Sequence, residues 1–179
     1  MNNVQGKISS VNGNQVIEVR QYLTFKLSEE IFGVDVAQVR EILDYIKITK
    51  VPQTPDFMCG VINLRGSVVP VVDMRLKFGM EKTETTVNTC IVVVEVNLEG
   101  ENTILGALVD SVQEVFELGP LEIEPAPRIG TKLKTDFIKG MGKRDDKFII
   151  LLDIDKVFSS EELSIVQQSQ NLVAEEIDN

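Results

Sequence analysis

Residues 61–73 read Val61-Ile62-Asn63-Leu64-Arg65-Gly66-Ser67-Val68-Val69-Pro70-Val71-Val72-Asp73. Val61 to Leu64 and Ser67 to Val72 are short runs rich in β-branched residues, with Arg65-Gly66 as the turn between them, so the stretch predicts a hairpin. Asp73 then opens a short helix, Met74 to Phe78, as its N-cap. This unit recurs. Asp56, Phe57, Gly60, Asp73 and Phe78 have counterparts at Asp136, Phe137, Gly140, Asp153 and Phe158, each 80 positions on. Upstream, Gly33, Val39, Glu41 and Ile42 have counterparts at Gly106, Val112, Glu114 and Val115, each 73 positions on. The order is the same in both halves, so the difference, 80 − 73 = 7 residues, is one insertion between Val115 and Asp136. Such a shared order implies two copies of one small supersecondary unit.

Working outward, residues 1–18 read as a disordered tail. Gln21 to Leu27 alternates as a half-buried strand and Ile31 to Val34 returns as its hairpin partner. Asp35 caps a short helix on which Val36, Val39 and Ile42 form one stripe. Ile46 to Val51 is a short strand ended by Pro52 and Pro55. Gly79 to Asn88 is polar and marks the boundary between the halves. In the second half, Cys90 to Val96 and Thr103 to Val109 pair about a turn at Gly100. Val112 to Leu118, apolar and β-branched, is partly strand. Phe148 to Leu152 is a buried strand, and Asp153 opens a helix through Phe158. A last helix occupies 160–179, with Ser159 and Glu162 as a capping box. The connections are too short for the crossovers of a βαβ fold. The expected class is mostly β, a body of small barrels or a sandwich with short helices.

A chain of 179 residues buries enough surface to need no disulfide or metal. Its net charge of −10 argues against nucleic acid, because phosphate binding needs a basic face. Met1 to Glu18 lacks the apolar segment of a signal peptide, and no run approaches bilayer-spanning length. Cys59 and Cys90 lack the spacing of a zinc site, and the chain has no histidine to complete one. No metal or cofactor is expected.

The absence of histidine also excludes serine and cysteine catalysis of the triad type. One alternative remains: a small phosphate- or nucleotide-binding module using Asp73, Asp153 and the Gly140-Met141-Gly142-Lys143 turn. That segment lacks the spacing and the Ser/Thr of a phosphate loop. The equivalent placement of the two aspartates favours helix caps. A proline-peptide binder would need an aromatic groove, and tryptophan is absent. Glu41 and Arg65 are candidates for a charge-assisted pair, or both are simply solvated. The Val36, Val39, Ile42 stripe is either core or one wall of a groove that suits a helical partner.

Gly60 to Arg75 read continuously closely resembles the signature of the chemotaxis coupling protein family, called CheW-like. Phe32-Gly33-Val34-Asp35, Val39-Arg40-Glu41-Ile42, Pro55-Asp56-Phe57, Gly106, Val109-Asp110-Ser111-Val112 and Pro125-Ala126-Pro127 also fit it, in order. The resemblance covers about residues 19–165. It implies two intertwined five-stranded SH3-like β-barrels, one over about 30–85 and the other over about 88–158 with the first strand exchanged, followed by the C-terminal helix. It implies a non-catalytic adaptor coupling the cytoplasmic tips of methyl-accepting chemoreceptors to the regulatory domain of the chemotaxis histidine kinase. The implied location is the cytoplasm, in receptor arrays at the inner face of the membrane, with no insertion into it. Carried over by motif, the receptor groove includes Val36, Val39, Ile42, Cys59 and Cys90, with cysteines where the family has lysine or aliphatic residues. Glu41 and Arg65 match a polar pair that holds this region in shape. Gly60, Asn63 and Gly66 shape the signature turn.

Overall fold

The structure, a computed structural model, describes residues 7–12, 15–126 and 136–157. In chain order the strands are β1 (Lys7–Asn12), β2 (Gln15–Leu27), β3 (Glu30–Asp35), β4 (Val39–Asp44), β5 (Met58–Leu64), β6 (Ser67–Asp73), β7 (Cys90–Leu98), β8 (Glu101–Val109), β9 (Ser111–Leu118), β10 (Ile123–Glu124), β11 (Ile138–Arg144) and β12 (Lys147–Leu152). One α-helix, α1, spans Met74–Lys77, and short 3-10 turns span Val36–Gln38, Pro120–Glu122 and Ile154–Lys156. The fold is mostly β, as the sequence predicts.

Two compact units result. Unit one holds the described residues up to Val39 together with Val112–Val157. Its sheet runs β1-β2-β3-β12-β11-β10, with β9 also paired to β2. Alternation puts Leu23, Phe25 and Leu27 inside, and Phe25 stacks on Phe32 with ring centroids 5.8 Å apart. Tyr22, Leu118, Ile149 and Leu151 form a core cluster of this unit. Unit two begins at Arg40 and runs to Ser111. Its sheet runs β4-β7-β8-β6-β5 around Ile62, Val69, Val71, Ile91 and Val93, five aliphatic side chains at most 3% exposed. Both are curled sheets of the SH3-like barrel type.

The internal repeat is visible bond by bond. A bulge interrupts the β5–β6 register between Met58 and Gly60, and another interrupts β11–β12 between Ile138 and Gly140, 80 positions on. Asp73 N–H donates to Phe57 O at 2.7 Å, and Asp153 N–H donates to Phe137 O at 2.7 Å. Gly106 on β8 lies opposite Val71 on parallel β6, and Gly33 on β3 lies opposite Leu151 on parallel β12. A Cβ on Gly106 would stand 2.9 Å from Ile91 Cγ2, and one on Gly33 would stand 3.0 Å from Leu151 Cδ2. These glycines are therefore placed by close packing between strands.

Several expectations need correction. Each unit joins the first hairpin of one repeat to the second hairpin of the other, so Gly79 to Asn88 is not a boundary between barrels, and ranges of 30–85 and 88–158 do not describe them. The strands before that loop (β5, β6) and after it (β7, β8) share one sheet, because β6–β8 pairing buries Val71 and Ile91. The parallel β3–β12 and β6–β8 pairs join strands that are not consecutive, so no short crossover is required. Unit one has seven strands rather than five: β1 adds to β2, and β10 adds to β11. Residues 7–12 and 15–18, expected in a disordered tail, are strand, paired from Lys7↔Val19 to Asn12↔Gln15. Ile46 to Val51 contributes only an isolated bridge, Thr49↔Val61. The helix after Asp153 is a 3-10 turn without a side-chain cap. The helix over 160–179, together with Phe158 and Pro127, lies outside the described residues.

Candidate functional site

Asp35 accepts a hydrogen bond from Ala37 N at 2.9 Å, so its capping role holds. The helix beyond it does not. The chain makes one 3-10 turn and then enters β4, where β-branched Val39 and Ile42 favour extended backbone and burial alternates residue by residue. Val36, Val39 and Ile42 therefore do not share a helical face. On β4 the period of two sets Val39, Glu41 and Leu43 on one side and Arg40, Ile42 and Asp44 on the other. Val36 and Val39 are half-buried and belong to unit one. Ile42, 45% exposed, belongs to unit two with Cys59 and Cys90.

Glu41 and Arg65 do come together. Arg65 Nη1 donates to Glu41 Oε1 at 3.3 Å and Nη2 donates to Oε2, a two-pronged pair. Arg65 occupies the left-handed region at φ 51°, followed by Gly66 at φ 87°, which is the geometry of a tight hairpin turn. Asn63 Oδ1 accepts from Gly66 N at 2.8 Å and holds the turn. The pair has a topological consequence. Glu41 lies on β4, at one edge of the sheet, and Arg65 directly follows β5, the other edge. The Thr49↔Val61 bridge also joins the chain after β4 to β5. Together they close the sheet on itself. Glu41 and Arg65 also line an open groove of about 620 Å³, with Leu64, Val69, Val93 and Ile104.

The Arg65 guanidinium holds the Glu41 carboxyl below its usual range. The pair is thus intact above the ordinary carboxylate range and is lost only as pH falls through the lowered value. Both residues are solvent-accessible, so the pair shapes the surface more than it stabilises the fold.

Cys59 on β5 lines a separate cavity of about 410 Å³ in unit two, with Tyr45, Ile48, Asp73 and Lys82. Burial, and then the Asp73 charge, push its thiol up to about 12. Cys90, the first residue of β7, donates from Sγ to Asn88 O at 3.2 Å. At neutral pH, thiol alkylation followed by peptide mapping is expected to modify Cys59 at least about tenfold more slowly than a free cysteine, because the thiolate is the reactive form. Modification of Cys59 at the rate of a model thiol would show that this cavity is wet and open.

Asp73 is buried, and its side chain accepts from Leu76 N at 3.2 Å, capping α1. Gly140 to Lys143 lies within β11 rather than in a turn, and a Cβ on Gly140 would meet Glu124 O at 2.8 Å. That segment cannot wrap a phosphate, because its backbone groups are engaged in the sheet with β12.

Sequence reasoning missed the bidentate pair between Arg75 and Asp110. Arg75 donates from Nε to Asp110 Oδ1 at 2.8 Å and from Nη2 to Oδ2 at 2.9 Å, and its Nη1 reaches Glu81 O at 2.8 Å. Both residues fall in motifs quoted above, but a pair 35 positions apart has no local spacing signal.

The model of the CheW-like domain matches residues 21–162. The chain belongs to the CheW-like family. It is 37% identical over 147 residues to the chemotaxis protein CheW of Klebsiella aerogenes, covering 82% of this chain and 86% of that protein. It is 34% identical to the chemotaxis protein CheW of Rhizobium meliloti, covering 80% and 90%. Among solved structures, the scaffolding protein TtCheW from Thermoanaerobacter tengcongensis superposes with a TM-score of 0.70 at 36% identity, covering 80% of this chain and 94% of that one. Family membership makes this CheW-like chain a chemotaxis scaffold protein, and its barrels are those of the family.

Proposed function

We propose that the protein is a non-catalytic adaptor that couples chemoreceptor cytoplasmic tips to the regulatory domain of the chemotaxis histidine kinase, in arrays at the inner face of the membrane. The observation that carries this reading is the Glu41–Arg65 pair. It sits at the signature turn of a family scaffold, closes a sheet, and is too exposed to be there for stability alone. Val36, Val39, Ile42, Cys59 and Cys90 are proposed receptor contacts. No helix among the described residues is long and apolar enough to cross a membrane.

The test is kinase activation in a reconstituted receptor array. Arg65→Ala is expected to abolish receptor control of the kinase while Tm stays within about 4 °C of wild type, since exposed pairs contribute little to folding. Val36→Asp and Val39→Asp are expected to weaken receptor binding more than kinase binding, because a charge placed in a desolvated contact is costly. Normal control by the Arg65 variant, or equal loss of both partners in the valine variants, refutes the assignment. ATP binding or turnover by the purified chain would refute the non-catalytic part.

A further inference from the structure

We propose that unit one carries a docking site of its own, built to take a single carboxylate presented beside an aliphatic side chain of a protein partner. The site is a groove of about 190 Å³, with Ile31, Phe116 and Ile149 as apolar walls and Lys26, Arg144 and Lys147 as cations. None of the residues proposed for receptor docking lines it, so the inference stands apart from that reading.

Arg144 carries the argument. Its Nη2 donates to Glu117 O at 2.6 Å, and its guanidinium lies 5.2 Å from the centroid of the Phe116 ring. Its Nε is buried and has no hydrogen-bond partner among the described residues. A buried donor left unpaired is costly, so such an atom marks a place where an acceptor belongs. Lys26 and Lys147 make no ion pair among the described residues. Three cations, one with an unmet donor, therefore face one apolar-walled groove on a chain whose net charge is −10.

The internal repeat supplies a comparison within the molecule. The matching groove of unit two has Leu64 and Ser67 where unit one has Arg144 and Lys147, 80 positions on. Lys26 lies opposite Ile31, and Glu95 lies opposite Ile104, 73 positions on from Ile31. Unit two thus has glutamate where unit one has Lys26. All three cations are additions relative to the sister groove. In the other direction, Asp145 replaces Arg65, so unit two's internal arginine–glutamate closure has no counterpart beside Glu114. Glu114 and Asp145 line the same groove and limit what it accepts. A lone carboxylate can reach the cations, whereas a polyanion meets two like charges. The volume suits one or two side chains rather than a cofactor, and the apolar walls suit an aliphatic neighbour of the carboxylate.

The test is a two-dimensional NMR titration of the isotope-labelled full chain with N-acetyl-Leu-Glu-Leu-amide, the Gln and Lys versions of that peptide, and sodium acetate. The Glu peptide is expected to give saturable shifts at Lys26, Phe116, Arg144 and Lys147. The Gln and Lys peptides are expected to bind at least about tenfold more weakly, as is acetate, which lacks the apolar neighbours. Arg144→Gln is expected to remove the response. Should that variant fold poorly, the double change Lys26→Gln with Lys147→Gln, at a half-buried and an exposed position, is expected to weaken it to a similar extent. Equal binding of the Gln peptide, tighter binding of the Lys peptide, acetate matching the Glu peptide, or no saturable shift with any probe would each overturn the proposal.

Discussion

Gly60→Ala is expected to lower Tm by at least about 10 °C, the largest effect of any single substitution considered for unit two. Gly60 has φ 143°, a conformation that L side chains rarely adopt, and its added Cβ would lie 2.0 Å from Thr49 O and 2.7 Å from Thr49 C. These are backbone atoms and cannot rotate away. Thr49 exchanges two hydrogen bonds with Val61, at 2.9 and 2.8 Å, and they help close the sheet. Moving Thr49 to admit a methyl group breaks that closure. Strain at such a φ costs about 1–3 kcal/mol and overpacking a similar amount, so the sum is several kcal/mol. Gly66→Ala is the control. Its φ is 87°, but no atom lies within 4 Å of an added Cβ, so only the strain of about 1 kcal/mol remains. Thermal unfolding of both variants checks the argument. A Gly60→Ala protein that melts with the Gly66→Ala protein would show that the close approach to Thr49 relaxes freely.

Arg75→Ala is expected to cost about 2–4 kcal/mol, somewhat below the penalty for breaking a fully buried pair. The Arg75 and Asp110 side chains are 15% and 24% exposed, and the contact is bidentate. Removing the arginine leaves Asp110 partly desolvated without its cation. It also frees Glu81 O, the acceptor that fixes the start of the loop leading to β7. Arg75→Lys should recover less than half of the loss, because an ammonium cannot reproduce the fork of hydrogen bonds. Denaturant unfolding measures both. A loss no greater than that of the exposed Arg65→Ala variant would place Arg75–Asp110 among surface pairs.

Where sequence reading succeeded and failed follows from the range of the signals. Alternation in Gln21 to Leu27 and the Arg65-Gly66 and Glu99-Gly100 turns are local, and each hairpin formed where expected. Val36, Val39 and Ile42 mimic a helical period over only seven residues. The reading failed there because three spaced aliphatics fit a turn followed by a strand equally well, and the neighbouring β7 decides for the strand. Glu41 and Arg65 were legible as candidates, since each stands out as a charge in an apolar motif. Their pairing needed the two edges of one sheet to meet.

By itself, the sequence determined the strand content, the turn chemistry, the two glycine-punctuated repeats and the absence of any histidine-based chemistry. All of these depend on residue type and short spacing. Only the tertiary structure decided which hairpin pairs with which. β3 takes β12 and β8 takes β6, so each unit is assembled from both repeats. Two copies of one unit offer the same apolar faces and the same glycine notches, and local pattern cannot distinguish pairing within a copy from exchange between copies. That choice rests on long-range packing, seen where Gly33 meets Leu151 and Gly106 meets Ile91. The same is true of Arg75 with Asp110 and of the Nε of Arg144, unpaired among the described residues, because a polar group's partners are set by what the fold brings to it.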